Sequence, residues 1–127
     1  MVDFHDAVPH EVLWKFVGAA DLGIVMIAPV SKSYYYALPN KLFECIQSGV
    51  PVIGSDLPEI KKDVVGYNVG ALAIPDNAAS IAEAVKGLIC DQEAYDSVKS
   101  NVELAKKQLC WENEKVVLAK AFNKISQ

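Results

Sequence analysis

Residues 33–58 read SYYYALPNKLFECIQSGVPVIGSDLP, and this stretch decides the predicted fold. Pro39 can begin a helix, because proline lacks the N–H that would be unsatisfied in a first turn and its fixed φ suits the helix. Gly49 ends that helix, and residues 50–53 form a short run typical of a buried parallel strand. The helix would bury one apolar face, formed by Leu42, Phe43, Cys45 and Ile46.

The start of this predicted helix is suited to binding an anion. A helix N-terminus presents free N–H groups and the positive end of the helix dipole, and Asn40 and Lys41 would reinforce that field. Glu44 follows one turn deeper, where its carboxylate could accept hydrogen bonds from a vicinal diol such as a ribose. The pattern therefore predicts a site for a diphosphate joined to a ribose.

Strands and helices alternate along most of the chain, and helices alone follow them. Asp56 and Glu59 resemble a capping box at a short helix, and Asp76 is predicted to cap the helix after the last strand. The remaining predicted elements are a strand stub at 2–4, strands at 22–28, 51–54 and 71–74, and helices at 9–20, 77–90, 93–108 and 111–125.

This alternation predicts an α/β fold with a Rossmann-like parallel sheet of few strands, flanked by helices and followed by a helical C-terminal tail. Parallel strands joined by helical crossovers place ligand sites at the carboxyl ends of the strands. At 127 residues the chain is predicted to form a single domain over 1–127.

Composition narrows the class of protein. A hydrophobic fraction of 52% with 22% charged residues is typical of a globular α/β protein. Because the chain has 12 basic and 16 acidic residues, we expect no nucleic-acid partner. The first residues do not resemble a signal peptide, and the apolar run at 22–30 is too short to span a bilayer. We therefore expect a cytoplasmic location.

The sequence contains three cysteines, Cys45, Cys90 and Cys110. Their number is odd, their spacing does not match a metal site, and all three fall in helical patterns. We expect reduced, buried thiols and no bound metal.

Residues 37–60, ALPNKLFECIQSGVPVIGSDLPEI, resemble the donor-binding segment of group 1 glycosyltransferases, which are GT-B enzymes. Residues 10–21, HEVLWKFVGAAD, resemble the helix and Ala-Asp step that precede this segment in the family. Residues 70–76, GALAIPD, resemble the strand and acidic turn that follow it, and Trp111-Glu112 resembles the start of the closing helix. The resemblance extends over nearly the whole chain.

The resemblance implies the distal part of a GT-B donor domain and assigns roles to several residues. Glu44 corresponds to the second of two family glutamates, associated with the ribose, whereas Tyr36 stands where the first would be expected. Leu38, Pro39, Asn40 and Lys41 would face the sugar and phosphates. Val8 would contact the base through its main chain. The donor would be a UDP- or GDP-sugar, and no catalytic residue or cofactor is expected in this segment.

In the family, the acceptor site belongs mainly to a second domain. The resemblance therefore implies a chain that is catalytically incomplete alone, an unidentified acceptor such as a glycan or a lipid-linked sugar, and a homodimer or partner acceptor domain that could bring the enzyme to a membrane surface. Two alternatives stay open. One is a non-catalytic half-domain of a split transferase, and the other is a nucleotide-sugar epimerase of GT-B architecture.

Overall fold

The computed structural model describes residues 1–126, which form three strands and seven helices. The strands are β1 (Gly23–Val25), β2 (Val52–Ser55) and β3 (Gly70–Ala73). The helices are α1 (His10–Gly18), α2 (Lys32–Tyr35), α3 (Asn40–Gln47), α4 (Pro58–Gly66), α5 (Ala78–Ile89), α6 (Gln92–Gln108) and α7 (Trp111–Ile125).

The three strands form one parallel sheet in the order β1-β2-β3. Ile53 in the central strand pairs with Ile24 on one side and with Ala71 on the other. Each residue of β2 is buried, as expected for a parallel strand covered on both faces. The predicted α/β fold with few parallel strands and a helical C-terminal part is confirmed.

Gly70 allows β3 to lie close to β2. A Cβ atom built on Gly70 would overlap the carbonyl oxygen of Val52, its partner in the sheet. At the start of β1, a Cβ on Gly23 would meet the Sγ atom of Cys45 in α3. Glycine is therefore required where a strand meets a neighbouring backbone and where a helix side chain contacts a strand.

The hydrophobic core lies where the sheet contacts its helices. α3 contacts β1 and β2, α4 contacts β2 and β3, and α6 contacts α3 and α5. These contacts bury aliphatic side chains that carry no polar group needing a partner. The largest fully buried apolar side chains are Leu42, Ile46, Val50, Val52, Ile53, Ile60, Val64, Val69 and Val102.

A single amide ties the end of α6 to α3. Nε2 of Gln47 donates to the carbonyl oxygen of Leu109 at 2.7 Å and to that of Lys106 at 3.1 Å. The last carbonyls of a helix have no partner within the helix, so these bonds satisfy groups that would otherwise need water.

The start of the chain differs from the prediction, since residues 2–4 form no strand with any described residue. The side chains of Val2 and Phe4 are 78% and 94% exposed. A short apolar segment becomes a strand only when it pairs with a neighbouring strand, and among the described residues β1 pairs with β2 alone.

Two predicted helix caps are also wrong. Among the described residues no side chain caps α4; it begins with Pro58 in the first turn, and the Asp56 carboxylate accepts a hydrogen bond from Lys61 at 3.0 Å instead. α5 is capped by Asn77, whose side chain accepts from the Ser80 N–H at 3.0 Å. Asp76 adopts a left-handed conformation, with φ of 60°, in the turn before it.

All three cysteines lie within the described residues and are free, but only Cys45 is buried. The prediction of buried thiols is therefore wrong for Cys90, which is exposed, and for Cys110, which is half-buried. Cys90 is the C-cap residue of α5. Burial, with a smaller contribution from the Glu44 carboxylate, raises the pKa of the Cys45 thiol.

Thiol labelling should separate these cysteines. Cys90 should react fastest with iodoacetamide at neutral pH, and Cys45 more than about tenfold slower, because a buried thiol of raised pKa carries little thiolate. Mass spectrometry of digested peptides over a time course measures the rates. Cys90→Ser should remove the fast phase alone, and labelling of Cys45 at the rate of Cys90 in the folded protein would contradict the buried position.

Gly70→Ala should destabilise the fold by about 3 kcal/mol, at the upper end for single substitutions, because the added methyl forces β3 away from β2. Chemical denaturation monitored by circular dichroism measures this free energy of unfolding. Gly87→Ala is the matched control, since its Cβ meets no atom within 4 Å and alanine should stabilise α5 by about 0.5–1 kcal/mol. Equal unfolding midpoints for both variants would show that the sheet tolerates a Cβ at Gly70.

Candidate functional site

A cavity of about 340 Å³ lies between the end of β1 and the start of α3. We call it the β1–α3 cavity. Ligand sites in parallel sheets lie at the carboxyl ends of strands, so its position agrees with the expectation from topology. It is lined by Ile24, Val25, Met26, Ile27, Pro39, Asn40 and Lys41.

The start of α3 forms one wall of this cavity. Pro39 precedes the helix in an extended conformation, with φ of −76° and ψ of 144°, and so is the capping residue rather than the first helical residue expected from sequence. Within residues 1–126 no side chain caps this start, and no acidic residue lies in its first turn. The Leu42 N–H donates to the Pro39 carbonyl oxygen at 3.1 Å, but the N–H groups of Asn40 and Lys41 and the positive end of the helix dipole are available to an anion.

The charged residues of α3 share one side of the helix. Leu42, Cys45 and Ile46 are its buried residues. Glu44 lies three positions after Lys41, which places the two on a common face. Both charges also act on the Cys45 thiol: besides the larger effect of burial, Glu44 raises and Lys41 lowers its pKa. Lys41 is exposed and Glu44 is half-buried.

Neither charge is neutralised by an ion pair in the described part of the chain. The ion pair found among residues 1–126 joins Lys61 and Asp56 at 3.0 Å. The Lys41 ammonium and the Glu44 carboxylate can therefore both interact with a ligand.

The other predicted site residues lie outside the lining of the β1–α3 cavity. Tyr36 is exposed and follows α2. This short helix lies in a segment predicted to be a loop, and the Ser31 side chain caps its start. The Tyr36 ring meets that of Tyr35 edge to face at 4.9 Å. Val8 is half-buried just before α1. Glu44 sits one turn along α3 from the cavity wall.

A larger groove of about 620 Å³ lies on another side of α3, and we call it the α3–α4 groove. Phe43 lines it, and its position two residues after Lys41 corresponds to about 200° of helix rotation. Burial raises the pKa of Asp63, another lining residue. The lining consists of Leu38, Phe43, Glu59, Lys62, Asp63, Tyr67, Leu109, Cys110, Trp111 and Glu114.

Charge distinguishes the two cavities as sites for an anion. The α3–α4 groove has three carboxylates, from Glu59, Asp63 and Glu114, against the single ammonium of Lys62. The β1–α3 cavity has a lysine, an uncapped helix start and no acidic lining residue among those the structure describes. A phosphate group is therefore favoured in the smaller cavity.

Met26 and Ile27 are cavity residues that the sequence does not reveal, because the whole segment 22–28 is predicted as a core strand. β1 ends at Val25, so both residues lie just beyond the strand, at the edge where ligands bind. The position of a strand end relative to the helix start was the signal that could have identified them.

The part of the chain that the structure describes has neither a metal-binding cluster nor a membrane-spanning helix. No group of three or more His, Cys, Asp or Glu side chains there could hold a metal ion. No helix as far as Ser126 combines the length and apolarity needed to cross a bilayer.

Comparisons with known proteins agree with this architecture. The family model of glycosyl transferases group 1 matches residues 1–91. The solved structure of sucrose-phosphate synthase from Thermosynechococcus elongatus matches with a TM-score of 0.80 and 22% sequence identity. That match covers 97% of this chain and 30% of the synthase chain. No match was found among curated proteins. Since the family model extends over most of the sequence, the chain belongs to the group 1 glycosyl transferases, and its fold matches a GT-B glycosyltransferase.

Proposed function

We propose that this chain is the distal part of a donor-binding domain, and that it holds a nucleotide-diphosphate sugar, with UDP or GDP as the nucleotide, for glycosyl transfer. The observation that carries the proposal is the uncapped start of α3 at the β1–α3 cavity, with Lys41 and Glu44 on one face of the helix. Family membership supports glycosyl transfer as the general reaction.

In this proposal the diphosphate binds at the start of α3. The helix dipole is equivalent to about half a positive charge at its N-terminus, and Lys41 adds a full charge beside the cavity. Negative charge grows on the diphosphate as the glycosidic bond breaks. Fixed N–H groups and an ammonium that face this charge stabilise the leaving group without having to reorganise.

The ribose binds further along the helix, at Glu44. A rise of about 1.5 Å per residue places this residue about 4.5 Å beyond Lys41 along the axis. A carboxylate accepts hydrogen bonds from two neighbouring hydroxyl groups and donates none, which suits a diol. Because Glu44 is half-buried and belongs to a helix anchored in the core, it would fix the nucleotide relative to the helix start.

The acceptor side of the reaction is assigned to a protein surface outside this chain. The chain spans 30% of the length of the matched synthase structure, and in this proposal the β1–α3 cavity binds the donor alone. We therefore propose that the isolated chain transfers no sugar and that an acceptor domain, a partner chain or a second copy completes the enzyme. Leu38, Tyr36 and Val8 stay predicted donor contacts, and a cytoplasmic location stays an expectation.

Glu44→Ala should weaken binding of UDP or GDP by about 2–4 kcal/mol, because hydrogen bonds to a charged group contribute about 1.5–3 kcal/mol each and do not add fully. Glu44→Gln should recover part of this loss, since an amide oxygen still accepts. Isothermal titration calorimetry measures the affinities, and circular dichroism checks the fold.

Glu59→Ala is the matched control for Glu44, because Glu59 is also a half-buried glutamate on a helix but lines the α3–α4 groove. It should leave nucleotide affinity unchanged. Unchanged affinity for Glu44→Ala, with a measurable affinity for the wild type, would exclude the ribose role of Glu44.

Lys41→Ala should weaken binding of UDP and GDP about tenfold and leave uridine and guanosine unaffected, because the lysine interacts with phosphate charge. The difference between nucleotide and nucleoside separates a phosphate contact from a general loss of the site. Lys62→Ala tests the α3–α4 groove in the same assay. If Lys62→Ala weakens nucleotide binding and Lys41→Ala does not, the phosphates bind in that groove.

A further inference from the structure

Ser55, the last residue of β2, makes an interaction that has no part in the proposed function so far. Among the residues that the structure describes, it is the polar residue with a fully buried side chain, 0% exposed. Its hydroxyl accepts a hydrogen bond from the Ile27 N–H at 2.7 Å and donates to the Ile27 carbonyl oxygen at 3.1 Å. The Ser55 hydroxyl thus bonds both the N–H and the carbonyl oxygen of Ile27.

This interaction continues the sheet beyond its main-chain ladder. The pairing of β1 with β2 ends at Val25 and Gly54. Beyond that point the Ser55 carbonyl oxygen accepts from the Leu57 N–H at 2.7 Å, the Asp56 N–H donates to the Ala73 carbonyl oxygen at 2.9 Å, and the chain enters α4. The main chain after Ser55 is then directed toward β3 and α4. The Ser55 hydroxyl therefore takes the place of a main-chain group of β2 as the hydrogen-bond partner of Ile27.

The segment held in this way forms part of the β1–α3 cavity. Met26 and Ile27 line the cavity on the strand side, and Pro39, Asn40 and Lys41 line it on the helix side. The distance between these two walls depends on where the main chain runs after β1 ends. Without a fixed partner, this short segment beyond the last ladder pair would have no hydrogen bond to β2.

We propose that Ser55 is a positioning residue for the donor site: its hydroxyl fixes the main chain at Ile27 and thereby sets the width of the cavity in which the diphosphate binds. The inference rests on the proposed function, since it assigns the cavity to the donor. Alanine would leave the Ile27 N–H and carbonyl without their partner, and unpaired groups at a half-buried position are relieved by moving toward water.

The test compares wild type, Ser55→Ala and Ser55→Thr by calorimetric titration with UDP and GDP. Ser55→Ala should bind about tenfold more weakly, which corresponds to about 1.4 kcal/mol, and Ser55→Thr should retain affinity within about twofold because it keeps the hydroxyl. Hydrogen exchange by NMR gives an independent readout, in which the Ile27 amide should exchange faster in Ser55→Ala alone.

Val102→Ala is the control for a general loss of stability, because Val102 is fully buried in α6 and does not line the cavity. It should lower the melting temperature without changing affinity or exchange at Ile27. If Ser55→Ala does not fold, Ser55→Cys replaces it, and its weak thiol donor should give an intermediate loss of affinity.

The outcomes separate the two proposals. A wild type that binds UDP or GDP, together with a folded Ser55→Ala that binds equally well, overturns the positioning role and leaves the donor site intact. Equal loss of affinity in Val102→Ala and Ser55→Ala also overturns it, since the effect would then follow stability. A wild type that binds neither nucleotide overturns the donor site and, with it, the role of Ser55.

Discussion

The close approach of β3 to β2 at Gly70 is the constraint on which the sheet depends. Any Cβ at this position would overlap the Val52 carbonyl oxygen, so the hydrogen-bond register between the strands requires glycine. This register keeps all of β2 buried and aligns the carboxyl ends of the strands at one edge. The starts of α3 and α4 follow from that alignment, because each helix begins after a connection that leaves this edge.

α3 shows how one short helix can serve a core, a candidate ligand site and a contact with another helix together. Its buried residues contact the core, Lys41 lines the β1–α3 cavity, and Gln47 holds the end of α6. Three sides of this helix of eight residues thus have different roles. A substitution on any one side is expected to act on the others through the helix orientation, which ties the geometry of the proposed donor site to the packing of the core.

Most of the fold was predictable because it follows from patterns within one element. The apolar spacing of α3, the short strand after Gly49 and the long C-terminal helices are local signals, and the structure confirms them. Outcomes that depend on tertiary contacts were not predictable in the same way. Asn77 rather than Asp76 caps α5, because Asp76 adopts the left-handed conformation in the preceding turn. A sequence with two adjacent capping residues does not show which of them caps the helix. The same holds for the site: its helix start and charges were visible locally, whereas Ile27 and its bond to Ser55, 28 residues away in sequence, required the folded chain.

The junction between α6 and α7 divides the C-terminal part into two regions of different local stability. The end of α6 is held by the Gln47 amide and by buried side chains such as Val102 and Ala105. Every residue of α7 is exposed, including Trp111 and Phe122. Local opening requires least free energy where few apolar contacts are lost. The amide hydrogens of α6 and α7 should therefore exchange with solvent in separate opening events, with α7 opening many times for each opening of α6.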